Sequence, residues 1–328
     1  MQGARPHSVE AGIPHRDYRI AVAGLRTRLR TIVFWAGRIL SVVAVVCVIF
    51  LFVRTQAWRT LNFSDPRTSG ALALAVAIYS VATLCLAYGW VRWLRTAGAQ
   101  DVPAGAGIIV FCRSQISKYI PGNIFHLVAR QALGRELGAS HPSLALSSVL
   151  ESCALILVAC LIAVLTNWSS GRLPAVPRLA VFIAGGLCLA GAIAAAIVIR
   201  RSDLRFAFRR SGNVALTLLC YLPFFLGNGL CLALLAGLNH SLTGEVILGM
   251  TGAWSASWLA GYVAPGPPGG LGVREATLIF ALSGWTGQPE SIALSMAMRL
   301  ASIAGDVTLW LVSLTPAFGV MAGETNLK

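Results

Sequence analysis

Two polar stretches interrupt otherwise apolar sequence, and their residue types are those that hold anions. The first reads Ser117-Lys118-Tyr119-Ile120-Pro121-Gly122-Asn123-Ile124-Phe125-His126 and is followed by Arg130 and Glu151. The second reads Pro265-Gly266-Pro267-Pro268-Gly269-Gly270-Leu271-Gly272-Val273-Arg274-Glu275 and is followed by Arg299 and Asp306. Each sets a Pro-Gly break beside charges. A helix break frees backbone N–H groups at the start of the next half-helix, where the helix dipole adds partial positive charge. Arg274 can grip a phosphate or carboxylate bidentately, while Lys118 acts as a point charge. Glycines at 269, 270 and 272 let the backbone come close to a ligand. Lys118, Pro121, Gly122, Arg130, Gly269, Gly270 and Arg274 are therefore the expected substrate-binding residues. Glu151, Glu275, Arg299 and Asp306 are expected to pair these charges or to carry protons. Plainer roles compete at each position. Lys118 and Arg130 can snorkel to an interface, Glu151 and Arg299 can form a purely structural pair, His126 can be a packed polar residue, and the glycines can serve close helix packing. Tyr119, Trp254, Trp258 and Trp285 read as interfacial or packing aromatics.

The surrounding composition says where these residues must lie. Of the 328 residues, 56% are hydrophobic and only 12% charged, against roughly 25% charged in a soluble domain. The expected class is an all-α integral membrane protein. The formal net charge of +14 does not indicate a nucleic-acid partner, because the basic residues flank apolar runs and do not form one stripe. Six apolar stretches have spanning length, at residues 31–53, 70–91, 143–166, 178–199, 213–238 and 292–318. Two more, 103–134 and 246–285, are broken at the Pro-Gly sites and read as re-entrant helical hairpins. Such a shape is tolerated at membrane depth only where protein or a cavity surrounds it. The implied organisation is a basic cytoplasmic tail over 1–30, one membrane domain over 31–318 with halves 31–166 and 178–318, and a short tail over 319–328. The arginine distribution predicts both termini inside the cell, so one hairpin enters from the cytoplasm and the other from outside.

This is the pattern of an inverted repeat, in which broken helices in matching places mark a transporter's binding site. Ala145-Leu146-Ser147 recurs as Ala293-Leu294-Ser295 at an offset of 148, which carries Glu151 onto Arg299. A pseudo-two-fold axis would then bring Glu151 and Arg299 together as a salt bridge. No nucleophile elbow, metal-ligand cluster or phosphate-binding loop is present, so no catalytic role, metal or cofactor is expected. The eight cysteines sit mostly in apolar runs and read as small buried hydrophobes.

The run Lys118 to Asn123 with Arg130, and the run Pro268 to Glu275 with Arg299, resemble the lysylphosphatidylglycerol synthase transmembrane-region family, also called the flippase-like domain family. The resemblance covers about residues 31–318, and the second motif is the more specific. Where many members carry an acidic residue soon after the first Pro-Gly, this chain carries His126. The resemblance implies an inner-membrane flippase for an anionic phospholipid or a polyprenyl-phosphate-linked glycolipid. In multiple peptide resistance factors a separate soluble domain makes the lipid; no such domain is expected here, so an aminoacyl transferase is not. Two other readings stand beside it: a transporter for a small soluble anion, and a non-transporting membrane scaffold for a glycosyltransferase or lipid-modifying enzyme.

Overall fold

The computed structural model describes chiefly residues 65–120, 125–170, 214–264 and 268–315. The expected spans at 31–53 and 178–199, both tails, and the Pro121-Gly122 break lie outside the described residues, apart from a few isolated positions. Among the described residues every regular element is helical. Four segments of the described residues are long and apolar enough to cross a membrane: Pro66–Thr96, His141–Thr166, Val214–Ala236 and Gln288–Ser313. They match the second, third, fifth and last expected spans.

Local chemistry sets their ends. Helix α1 (Pro66–Thr96) begins with proline in its first turn, where no N–H is required, and Asp65 caps it by accepting from the Arg67 N–H at 2.9 Å. At its other end the Arg95 guanidinium donates to the Val102 carbonyl at 2.9 Å, folding the chain back into α2 (Ala104–Gln115). A 3-10 turn at Ile116–Tyr119 ends α2, and α3 (Phe125–Glu136) returns against it. Helix α4 (His141–Ser170) follows. The next span is divided by a turn at Cys220-Tyr221 into α5 (Val214–Leu219) and α6 (Leu222–Ala236). Pro223 explains the division, because its ring would clash with the carbonyl four residues back. Helix α7 (Gly244–Val263), a second 3-10 turn at Pro268–Gly270 and α8 (Val273–Thr286) form the other broken segment, and α9 (Gln288–Ser313) closes the order.

Helix α1 is central, packing on α2, α4, α6 and α9. The two arms of each broken segment pack on one another, and the two 3-10 turns touch. Trp90, Phe111, Tyr221 and Phe225 fill the interior. Leu74, Val81, Leu157, Leu161 and Leu311 point outward, while Arg130, Ser147, Asn228, Ser255 and Asp306 are buried. An apolar exterior over a partly polar interior is consistent with an all-α membrane protein.

Candidate functional site

A cavity of about 100 Å³ lies where the two broken segments meet. Lys118 comes from the first turn, Arg130 from α3, Arg274 from α8 and Arg299 from α9, and all four line it. Leu86, Leu155, Phe224 and Trp258 line other parts of the wall. The site is thus a cationic chamber with apolar, partly aromatic sides.

Three of the four cations have a carboxylate partner. Lys118 Nζ stands 2.7 Å from Asp306 Oδ2 and donates to the Tyr79 hydroxyl at 3.1 Å. Tyr79 in turn donates to Asp306 Oδ1 at 3.1 Å, and Tyr119 donates to Oδ2 at 2.5 Å. Asp306 is fully buried, and these three groups satisfy it. Arg130 is bonded to Glu151 and lies over the rings of Phe111 and Trp90, 4.1 and 5.0 Å from their centroids. Arg299 Nη1 is 3.3 Å from Glu275 Oε1. Glu275 also accepts the Gly272 N–H at 2.5 Å, so it caps α8 and orients Arg299 together. The fourth cation, Arg274, has neither ion pair nor hydrogen bond among the described residues. It stacks 4.0 Å from the Trp254 ring centroid, a cation–π contact. The set therefore holds four cations and three acids, one positive charge in excess.

Glycine builds the second break. Gly269, Gly270 and Gly272 have φ of 57°, 70° and 85°, a left-handed region that side chains disfavour. Gly269 faces the cavity, and its carbonyl is 3.5 Å from Arg299 Nη1. Gly270 does not approach the cavity; it lies against the Gly261 backbone of α7.

The expected pair of Glu151 with Arg299 does not form. Helix α3 packs on α4 and carries Arg130 to Glu151 first. Glu275, three residues past the α8 cap, reaches back to Arg299. Lys118 and Arg130 do not snorkel outward; both turn into the cavity. His126 also lines it, with its Nδ1 buried and unpaired. Pro121 and Gly122 lie outside the described residues. Tyr79 is the site residue that sequence reasoning missed. It sits in an unbroken apolar helix, and a mid-span hydroxyl facing a distant acid is its only signal. Tyr119 and Trp254, read as packing aromatics, instead hold Asp306 and Arg274. Among the described residues no cluster of three or more His, Cys, Asp or Glu could hold a metal ion. No protein-family model matches the chain, and no curated protein is recognisably similar to it.

Proposed function

We propose that this chain is a flippase that carries the headgroup of an anionic phospholipid or polyprenyl-phosphate-linked glycolipid through the central cavity while the tail stays in the bilayer. The observation that carries this reading is the unneutralised Arg274 in a chamber whose other three cations are paired. A guanidinium without an acid partner is ready to bind phosphate bidentately. The apolar wall at Leu86, Leu155, Phe224 and Trp258 suits the part of a lipid next to its headgroup. The motif resemblance points the same way.

The proposed frame is six spans and two re-entrant hairpins in an inverted repeat of a cytoplasmic membrane, with both termini cytoplasmic. Helix boundaries support it. The offset of 148 residues carries the start of α1 at Pro66 onto the start of α5 at Val214, and the end of α2 at Gln115 onto the end of α7 at Val263. It also carries the start of α3 at Phe125 onto the start of α8 at Val273.

The test is movement of a fluorescent phosphatidylglycerol between leaflets of vesicles holding the purified protein. A charged hydrogen-bonding partner contributes about 1.5–3 kcal/mol. Arg274→Ala is therefore expected to weaken headgroup binding on the order of 10–100-fold and to slow transfer, with Arg274→Lys in between. A folded Arg274→Ala protein that transfers lipid at the wild-type rate sinks the reading. Uptake of free phosphate without lipid transfer would favour the soluble-anion reading.

A further inference from the structure

Behind Arg274 and Arg299 lies a second, much smaller cavity of about 10 Å³, lined by Trp254, Arg274, Glu275, Ser295, Arg299 and Ser302 together with two apolar side chains. That is room for one sphere of about water size. It is too small for a phosphate or a carboxylate. Four of its lining residues carry buried polar atoms with no hydrogen-bond partner: Trp254 Nε1, Arg274 Nη2, Arg299 Nε and Nη2, and Ser295 Oγ. Trp254 and Ser295 are each only 2% exposed. Unpaired buried donors are costly, and several of them on residues that line one small space favour a ligand that accepts from more than one.

The donor inventory selects the ligand. Indole and guanidinium nitrogens donate and never accept. Each oxygen of Glu275 already accepts one bond, from Arg299 at 3.3 Å and from the Gly272 N–H at 2.5 Å, and keeps one further lone pair. The Ser302 hydroxyl is committed as a donor to the Arg299 carbonyl at 2.9 Å. A water here would find many donors for its lone pairs, with the serine hydroxyls and the remaining Glu275 lone pairs for its two protons, but it would leave the positive charge uncompensated. A monatomic anion has no protons to place. Arg274, Arg299 and Glu275 together also carry one excess positive charge. We propose that this satellite cavity is a binding site for a single halide-class anion, chloride under physiological conditions.

The site is separate from the headgroup chamber and does not depend on the flippase reading. It does touch it, because Arg274 and Arg299 line both cavities. An anion behind them neutralises the charge they present in front. Chloride therefore opposes anion binding in the main cavity, and by linkage the effect is reciprocal.

The experiment uses the full chain in detergent without added lipid. Thermal unfolding is followed while sodium chloride, then sodium bromide, replaces sodium gluconate at constant ionic strength. A saturable rise on the order of 2–4 °C is expected with either halide. Trp254→Phe with Ser295→Ala keeps the aromatic stack and the helix but removes two donors, and is expected to lose the response. No difference between halide and gluconate overturns the site. So does a rise that persists undiminished in the double variant, which would be a general salt effect. Should the variant not fold, bromide-soaked crystals of the wild-type protein decide: an anomalous peak between Trp254 and Ser295 supports the site, and an ordered water without one overturns it. Neither readout involves lipid, so this proposal and the flippase reading fail separately.

Discussion

Arg130 lies over the Trp90 and Phe111 rings with Glu151 as its anion, and the residue as a whole is only 2% exposed. Two desolvated charges in contact are an expensive way to build a wall. Replacing such a pair with apolar groups is often neutral or stabilising, whereas removing one partner costs about 3–5 kcal/mol. The consequence for Glu151→Gln is a loss of that order, measured by chemical unfolding in mixed micelles. Arg130→Met combined with Glu151→Leu is expected to cost less than either single change, since no charge is then left alone. If the double variant loses the sum of the two single effects, the residues are not energetically coupled, and the pairing described here does not hold. The same logic separates Arg274 from its neighbours. Arg130, Lys118 and Arg299 are held by acids, so substituting them disturbs the frame of the cavity as well as its charge. Arg274 has no acid to leave unpaired among the described residues, only the Trp254 ring and its share of the satellite cavity to lose, which makes it a cleaner probe of the main cavity's charge than its three neighbours.

The second break rests on α7 through two glycines that face each other. A Cβ on Gly270 would stand 2.8 Å from the Gly261 carbonyl oxygen and 2.9 Å from its Cα. Both are backbone atoms and cannot swing aside. Its φ of 70° adds about 1–2 kcal/mol for any residue with a side chain. Gly270→Ala is therefore expected to lower the unfolding temperature by several degrees and to misplace Gly269 and Arg299 at the cavity. Gly284, within α8, has nothing within 4 Å of where its Cβ would be. Gly284→Ala is the matched control, expected to gain up to about 1 kcal/mol from helix propensity. Equal melting temperatures for the two variants would contradict the close packing at Gly261. This also marks what the sequence could reveal at the scale of elements. The spans at 66–96, 141–166, 214–236 and 288–313 were legible because spanning length and lack of charge are written in consecutive residues. The second break was legible because glycine in a left-handed turn beside proline has few other uses. Ion-pair partners were not legible. Which arm of a broken segment lies against which helix is decided by packing between residues far apart in the chain, and that packing gave Arg130 rather than Arg299 to Glu151.

Among the described residues the ion pairs around the cavity divide in an informative way. Arg130 with Glu151 falls within residues 31–166, and Glu275 with Arg299 within 178–318. Lys118, Tyr79 and Tyr119 from the first half all converge on Asp306 of the second. Each half thus gives an acid to one of its own buried arginines, and among the described residues the ionic link between halves is the one at Asp306. That is how two similar units would meet around a shared site, and it bears on orientation. In the inverted arrangement the α3–α4 connection is cytoplasmic and the α8–α9 connection is outside. Ser140 on the first connection and Gln288 at the start of α9, beside the second, are exposed. In a cysteine-free background, Ser140→Cys is expected to react with a membrane-impermeant maleimide only after the cells are opened. Gln288→Cys is expected to react in intact cells. Parallel halves, or a chain whose broken segments both enter from one side, would place the two cysteines on the same face and label them under the same condition. That outcome would remove the inverted repeat, while leaving the ion pairs and the satellite cavity untouched.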